Sequence, residues 1–337
     1  MGGGSDRGRR VGGLSYILIS TLYTFITIER GILFTIFLIF AKKFEMKKFA
    51  IWIEAMRLRT LPASVSGVIA GIGFAFMAGV FKWMPAALCL VFAVLAQIAS
   101  NFANEYYDFK GGLDRPGREG PRRGVTEGDI TPRAMRNATF ATLAAACAVG
   151  LALVAWGGWW LIAVGLFIAL GVLAYSTGPY PLSHHGLGEV AVLFFFGIIP
   201  VNFTFYLQTG FWDLTVLIGS ISVGLMESNI LIVNNYRDLE DDRAVGKRTS
   251  AVIFGRGTMS NVYLFNGFIA VALMWIAWMM ATSIWWLVVP IAYLFGHTML
   301  WLRMSSRWGA ALNPLLGMTA VLMLLYCAGF AAAMFRG

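Results

Sequence analysis

Charge is scarce in this chain. Of 337 residues only 13% are Asp, Glu, Lys or Arg, while 58% are hydrophobic and the mean hydropathy is +0.72. A soluble domain carries about 25% charged residues, so a water-exposed globular fold is excluded and the composition is that of a membrane protein. Cysteine and histidine are equally sparse, with three of each. Cys89, Cys147 and Cys327 stand far apart inside apolar runs, without metal-ligand spacing, and read as buried small hydrophobes. With no His/Cys ligand set, a metal site here is one of oxygen ligands.

What the chain has is a series of apolar runs near the ~20 residues that cross a bilayer as helix. They predict an all-α polytopic bundle of nine transmembrane helices, at 61–81, 84–103, 134–156, 158–175, 188–208, 214–234, 259–281, 283–300 and 311–334. Glycine is abundant at 38 residues, which in a membrane favours close helix approach. Two connections are long, 104–133 and 235–258.

Lys and Arg set the orientation. Segments 42–59, 104–136, 235–258 and 301–310 hold six, seven, five and two of them, 20 of 26 in all, and they alternate along the nine-span pattern. The other side has Lys82 and Arg336. This bias places both long connections, and a central cavity opening between them, on the cytoplasmic side. It also accounts for the net charge of +9 without a nucleic-acid partner, since the basic loops lie against an anionic membrane surface.

Residues 1–45 read separately from a main domain of 46–337. Met1-Gly2-Gly3-Gly4-Ser5 has the look of an added leader, and the apolar stretch 11–41 is interrupted by Glu29-Arg30. This hydrophobic extension is expected to be an extra span or an interfacial helix, dispensable for chemistry. Met46-Lys47-Lys48 resembles an internal natural start.

Two acidic clusters stand at the mouths of apolar spans. One is Asn104-Glu105-Tyr106-Tyr107-Asp108 followed by Asp114, and the other is Asn234-Asn235-Tyr236-Arg237-Asp238-Leu239-Glu240-Asp241-Asp242. Unpaired carboxylates beside lipid are costly, so a shared cation is expected. If the preceding helix continues, Asn104 and Asp108 share a face, as do Asp238 and Asp242 at the same four-residue spacing. Gly111-Gly112 can turn Asp114 back over the mouth. Asp241 faces another way and, like Arg115 and Glu119, reads as solvent-exposed.

Opposite charge follows each cluster. Lys110, Arg118, Arg122 and Arg123 accompany the first, and Arg237, Lys247 and Arg248 the second. Arginine forks phosphate oxygens and lysine adds a compact charge. Oxygen ligands with such cations suit Mg²⁺ and a diphosphate leaving group, with apolar walls for a lipid tail. Clusters at one membrane face, without an inverted repeat, argue against a secondary transporter.

From Met46 onward the chain resembles the intramembrane aromatic prenyltransferase superfamily. The resemblance is carried by Glu54 through Pro62, Asn101 through Asp114, Tyr175 through Leu182, Gly186-Leu187-Gly188-Glu189, and Asn234 through Thr249. It is closest to the branch that prenylates 1,4-dihydroxy-2-naphthoate in menaquinone synthesis. The resemblance implies transfer of a polyprenyl group from its diphosphate, with loss of diphosphate and carbon dioxide, giving demethylmenaquinol. It implies two Mg²⁺ held by Asn104, Asp108, Asp114, Asp238 and Asp242, with Lys110 and Lys247 joining the catalytic set. Substrate contacts are expected from Arg59, Asn101, Arg122 and Arg123, and from Tyr175, Tyr180, Asn235 and Arg237. Tyr180 is a candidate to stack on the acceptor ring, and His184 or His185 to assist proton movement. Glu105 stands where the family motif commonly has Asp, and is not expected to ligate metal. The implied setting is a bacterial or archaeal cell membrane. The implied partners are the two substrates and lipid, with no obligate protein partner. A sibling acceptor such as 4-hydroxybenzoate, haem, homogentisate or a lipid is the alternative.

Overall fold

A computed structural model describes residues 46–281 and 284–335. The expected extension 1–45 lies outside the described residues. The chain divides into two compact units, Met1–Trp52 and Ile53–Gly337; of the first, only 46–52 are described.

The described residues form helices and no strand. In chain order they are α1 Met46–Ala55, α2 Leu61–Met77, α3 Trp83–Lys110, α4 Pro132–Gly157 and α5 Leu161–Ala174, then α6 Gly188–Thr209 and α7 Leu214–Arg237. The short α8 Leu239–Ala244 leads to α9 Ser250–Trp278, α10 Trp285–Ser305 and α11 Asn313–Met334. Eight segments among the described residues are long and apolar enough to cross a membrane: 49–77, α3, α4, α6, α7, α9, α10 and 309–334. The fourth expected span is the 14-residue α5, about 21 Å of helix at 1.5 Å per residue and shorter than the hydrocarbon core. These helices and their composition are those of an integral membrane protein.

Differences from the expected boundaries include both acidic ends. α3 runs on through Lys110, seven residues past the predicted end, so the first cluster is helical. α7 ends at Arg237 with Asp238 as its cap, and Asp242 N–H donates to Asp238 O at 2.8 Å, which preserves the four-residue relation. α9 opens at Ser250, inside the stretch assigned to a loop, and breaks at Gly255, whose φ of 79° is left-handed. Helix starts follow local chemistry: Thr131 accepts from Ala134 N–H ahead of α4, and Asp213 from Thr215 and Val216 N–H ahead of α7.

α3 packs along α4, α9 along α7, and α11 along α2. The main core joins Phe74 of α2, Met274 and Trp278 of α9, and Tyr326 and Phe330 of α11. Within α6 the stretch Leu193–Ile198 is a π-helix. There α6 meets α7 so closely that a Cβ on Gly197 would fall 2.3 Å from Gly224 Cα; small residues permit this approach. Phe195 and Phe196 of the π-helix line an internal cavity of about 290 Å³.

Candidate active site

Both acidic clusters reach this one cavity. Asn104 and Asp108 line it from α3, Asp238 and Asp242 from the end of α7 and from α8, with Arg57, Arg118, Arg123 and Lys247 among them. Toward its other end the walls are apolar, including Val68, Cys89, Leu153, Leu161 and Leu207. Polar mouth and apolar barrel suit an amphiphile with a charged head.

Asp108 is the most heavily tied acid. Its Oδ2 accepts from Lys247 Nζ at 2.8 Å and from Asn104 Nδ2 at 3.3 Å, and His184 Nε2 lies 3.3 Å from Oδ1. Asn104 Oδ1 in turn accepts from Arg57 Nη2 and Arg123 Nη2, each at 3.0 Å. The predicted turn at Gly111-Gly112 forms, with φ of 70° at Gly112 and Leu113 N–H donating to Asp108 O at 2.9 Å. It returns Asp114 toward the cations: Oδ1 accepts from Arg118 at 3.0 Å, and Arg123 Nε lies 3.4 Å from Oδ2.

The second cluster is held by the loop that follows the first. Arg118 Nη2 donates to Asp238 Oδ2 at 3.0 Å, so one guanidinium spans Asp114 and Asp238. Asp241, expected to be solvent-exposed, accepts from Glu119 N–H at 2.8 Å and from Arg115 at 2.5 Å. Arg115 and Glu119 therefore strap the loop down. Arg237, expected among the substrate contacts, is instead an internal brace. It donates to both Asp238 oxygens, at 2.7 and 2.8 Å, and to Asn313 Oδ1 at 3.0 Å, and it does not line the cavity.

Electrostatics in the mouth is a contest between burial and paired charge. Burial pushes the Asp242 carboxyl up to about 6, against the pull of Lys247. Burial also raises Asp114, with Arg118 pulling the other way. At Asp238 burial is outweighed by the hydrogen bonds and charges of Arg237 and Arg118, which hold it below its ordinary value. Lys247 loses to burial less than it gains from Asp108 and Asp242, and stays charged above its ordinary value.

Several expected residues are placed elsewhere. Arg59 is exposed and off the cavity; Arg57, two residues earlier, lines it instead, because the chain breaks at Arg57 with φ of 53°. Lys110 is exposed, since α3 continues as helix and a residue two beyond Asp108 points away. Arg122 is drawn outward to Asp129 and lies 3.9 Å from Glu54. Tyr180 is 55% exposed and stacks on His185 at 3.8 Å, not over the cavity. Asn101, Tyr175 and Asn235 do line it. Asn101 Nδ2 also donates to Met56 O at 2.9 Å, fixing the Arg57 turn, and Asn235 Nδ2 donates to Glu189 Oε1 at 2.8 Å. Glu105 lies off the cavity, its Oε1 accepting from Val125 N–H at 3.0 Å.

Among the described residues no three His, Cys, Asp or Glu side chains converge into a ready metal cage. The donors that are present suit Mg²⁺ nonetheless. Asp108, Asp238 and Asp242 offer oxygens to one cavity, and Asp114 Oδ2 is buried without a hydrogen bond. Mg²⁺ takes one or two carboxylates and completes its shell with water and substrate phosphate, not with an all-protein cage.

The sequence matches the model of the UbiA prenyltransferase family over residues 64–318. It is 32% identical over 299 residues to a 1,4-dihydroxy-2-naphthoate octaprenyltransferase of Haemophilus influenzae, covering 85% of this chain and 96% of that protein. A Mycobacterium tuberculosis protein of the same name is 34% identical over 292 residues, covering 87% and 99%. In fold the chain resembles a UbiA homolog from Archaeoglobus fulgidus solved with GPP and Mg²⁺, with a TM-score of 0.63 at 17% identity, over 85% of this chain and 100% of that one.

Proposed function

The chain belongs to the UbiA prenyltransferase family, and we propose that it transfers a polyprenyl group from its diphosphate to 1,4-dihydroxy-2-naphthoate. Diphosphate and carbon dioxide leave, and the product is demethylmenaquinol. The observation that carries this reading is the single cavity in which both acidic clusters and four cations meet above an apolar barrel. The Haemophilus influenzae and Mycobacterium tuberculosis proteins that carry the naphthoate name are covered over nearly their full length by this chain, which favours that acceptor over its siblings.

Arg57, Arg118, Arg123 and Lys247 receive the diphosphate oxygens, the arginines by bidentate donation and the lysine as a point charge. Asn104, Asp108, Asp114, Asp238 and Asp242 would hold two Mg²⁺ together with that diphosphate. When bound, the metal supplies positive charge that offsets the charge gathering on the departing diphosphate. Val68, Leu153, Leu161 and Leu207 enclose the tail and exclude water from the developing allylic cation. The acceptor ring is already activated by its hydroxyls, so the protein's part is to hold it against the allylic carbon.

The mouth faces the cytoplasm, on the strength of the Lys/Arg bias, in a bacterial or archaeal cell membrane. Residues 1–45 are an appendage to the 46–337 enzyme, and no protein partner is required.

Product mass from purified protein with Mg²⁺, a polyprenyl diphosphate and either 1,4-dihydroxy-2-naphthoate or 4-hydroxybenzoate tests this. A prenylated, decarboxylated naphthalenediol formed only with metal is the expected result. Product from hydroxybenzoate alone would move the enzyme to another acceptor.

A further inference from the structure

Glu227 sits in the middle of α7, two turns below Asn234, and it lines the same cavity. It is 1% exposed, and its Oε1 is buried without a hydrogen-bond partner. Its neighbours are satisfied. Ser228 donates to Gly224 O and Glu189 O, and Asn229 donates to Tyr263 O while accepting from Asn266. Those two residues face the packed helices; Glu227 faces the cavity. A carboxyl oxygen at bilayer depth with no partner among the described residues is expensive, and such groups mark ligand positions.

The depth narrows the choice of ligand. Along the helix, Glu227 is seven residues from Asn234 and eleven from Asp238, roughly 10 and 16 Å at 1.5 Å per residue. The diphosphate is held at the mouth by charge. Beyond the diphosphate a polyprenyl chain carries no polar atom, so it offers Glu227 nothing. An aromatic acceptor reaches below the mouth and carries hydroxyls. Its own carboxylate is drawn upward to the cations at the polar end of the cavity.

Resting on the proposed naphthoate prenylation, we infer that Glu227 is the acceptor-binding residue of this cavity, its carboxyl hydrogen-bonded to a ring hydroxyl of the dihydroxyaromatic acid. The two ends of the acceptor are thus read separately: carboxylate by the cations of the mouth, hydroxyl by Glu227. That pair of contacts orients the ring and selects the carbon presented to the allylic centre. It also sets a specificity rule, since a buried polar group left unpaired by an analogue lacking the hydroxyl discriminates strongly against it.

The experiment compares wild type, Glu227→Met and Glu227→Gln, each purified as the full chain. Methionine matches the shape without polar atoms. Because the carboxyl it replaces makes no hydrogen bond to the described residues, the fold is expected to tolerate it. Equilibrium binding of 1,4-dihydroxy-2-naphthoate and of monohydroxy-2-naphthoates is measured without prenyl diphosphate, beside KM for each substrate. E227M is expected to weaken dihydroxynaphthoate binding about tenfold and to leave the KM for prenyl diphosphate unchanged. It should bind the dihydroxy acid and one monohydroxy analogue equally. E227Q, which still pairs with a hydroxyl, is expected to recover most of the affinity. Unchanged acceptor binding in E227M, or equal loss for both substrates, overturns the inference. So does misfolding of E227M beside an intact E227Q, since it would show that the carboxyl has a partner within the fold. Wild-type protein that makes no naphthoate product while making another would instead overturn the proposed acceptor.

Discussion

Lys247 Nζ and Asp108 Oδ2 stand 2.8 Å apart although 139 residues separate them in the chain. This ion pair joins the loop after the second acidic cluster to the helix of the first, and both partners face the cavity. Removing the lysine leaves a buried carboxylate with weakened compensation and takes a cation from the diphosphate. Lys247→Ala is expected to lower kcat/KM for prenyl diphosphate about 100-fold or more. Lys247→Arg is expected to restore only part of it, because a planar fork does not replace a compact charge. Steady-state kinetics across the three proteins checks both.

Asp108 and Asp238 lead the two clusters, each nearly inaccessible to solvent. Asp108→Asn and Asp238→Asn keep shape and lose charge. Each variant should insert and remain monodisperse while turnover falls at least ~100-fold. Normal turnover in both would exclude the metal-diphosphate mechanism.

Asp242 carries a pH prediction. Burial raises its carboxyl to about 6, so it holds a proton below that value and releases it above. Metal and proton compete for the same oxygens. The Mg²⁺ concentration for half-maximal activity should therefore rise as pH falls through about 6, and be nearly constant above it. Asp242→Asn should raise that concentration throughout and flatten its dependence near this pH. A titration of activity against Mg²⁺ at several pH values distinguishes the two behaviours.

Arg57 and Arg59 separate by position. Arg57 lines the cavity and donates to Asn104, whereas Arg59 is exposed. Arg57→Gln is expected to cost about tenfold or more in kcat/KM, the scale of a lost charge-assisted hydrogen bond. Arg59→Gln should stay within about twofold, as surface changes do. Equal effects in the two variants would contradict the placement of the turn.

Much of this was readable in advance because helix periodicity is local. The four-residue spacings Asn104–Asp108 and Asp238–Asp242, and the turn at Gly111-Gly112, depend only on neighbouring residues. Lys110 lies off the site because α3 continues as helix beyond the end of its apolar run near 103, which turns position 110 outward. Arg57 enters the site through a left-handed backbone at a non-glycine residue, which has no sequence signal. Tyr180 and His185 satisfy each other by stacking, a contact that composition does not announce. Glu227 is a lone acid in an apolar run, without the spaced companion that marks the two clusters.

Class, helical content and the two chemical motifs were thus determined by the sequence alone, since hydropathy and residue spacing act over a few turns of one segment. Tertiary structure decided which cation meets which acid. It drew Arg118 across to Asp238 and Lys247 to Asp108. Such pairings follow from how far each helix is rotated against its neighbours. That rotation is set by contacts between segments, such as Gly197 lying against Gly224, and no single stretch of chain contains both sides of such a contact.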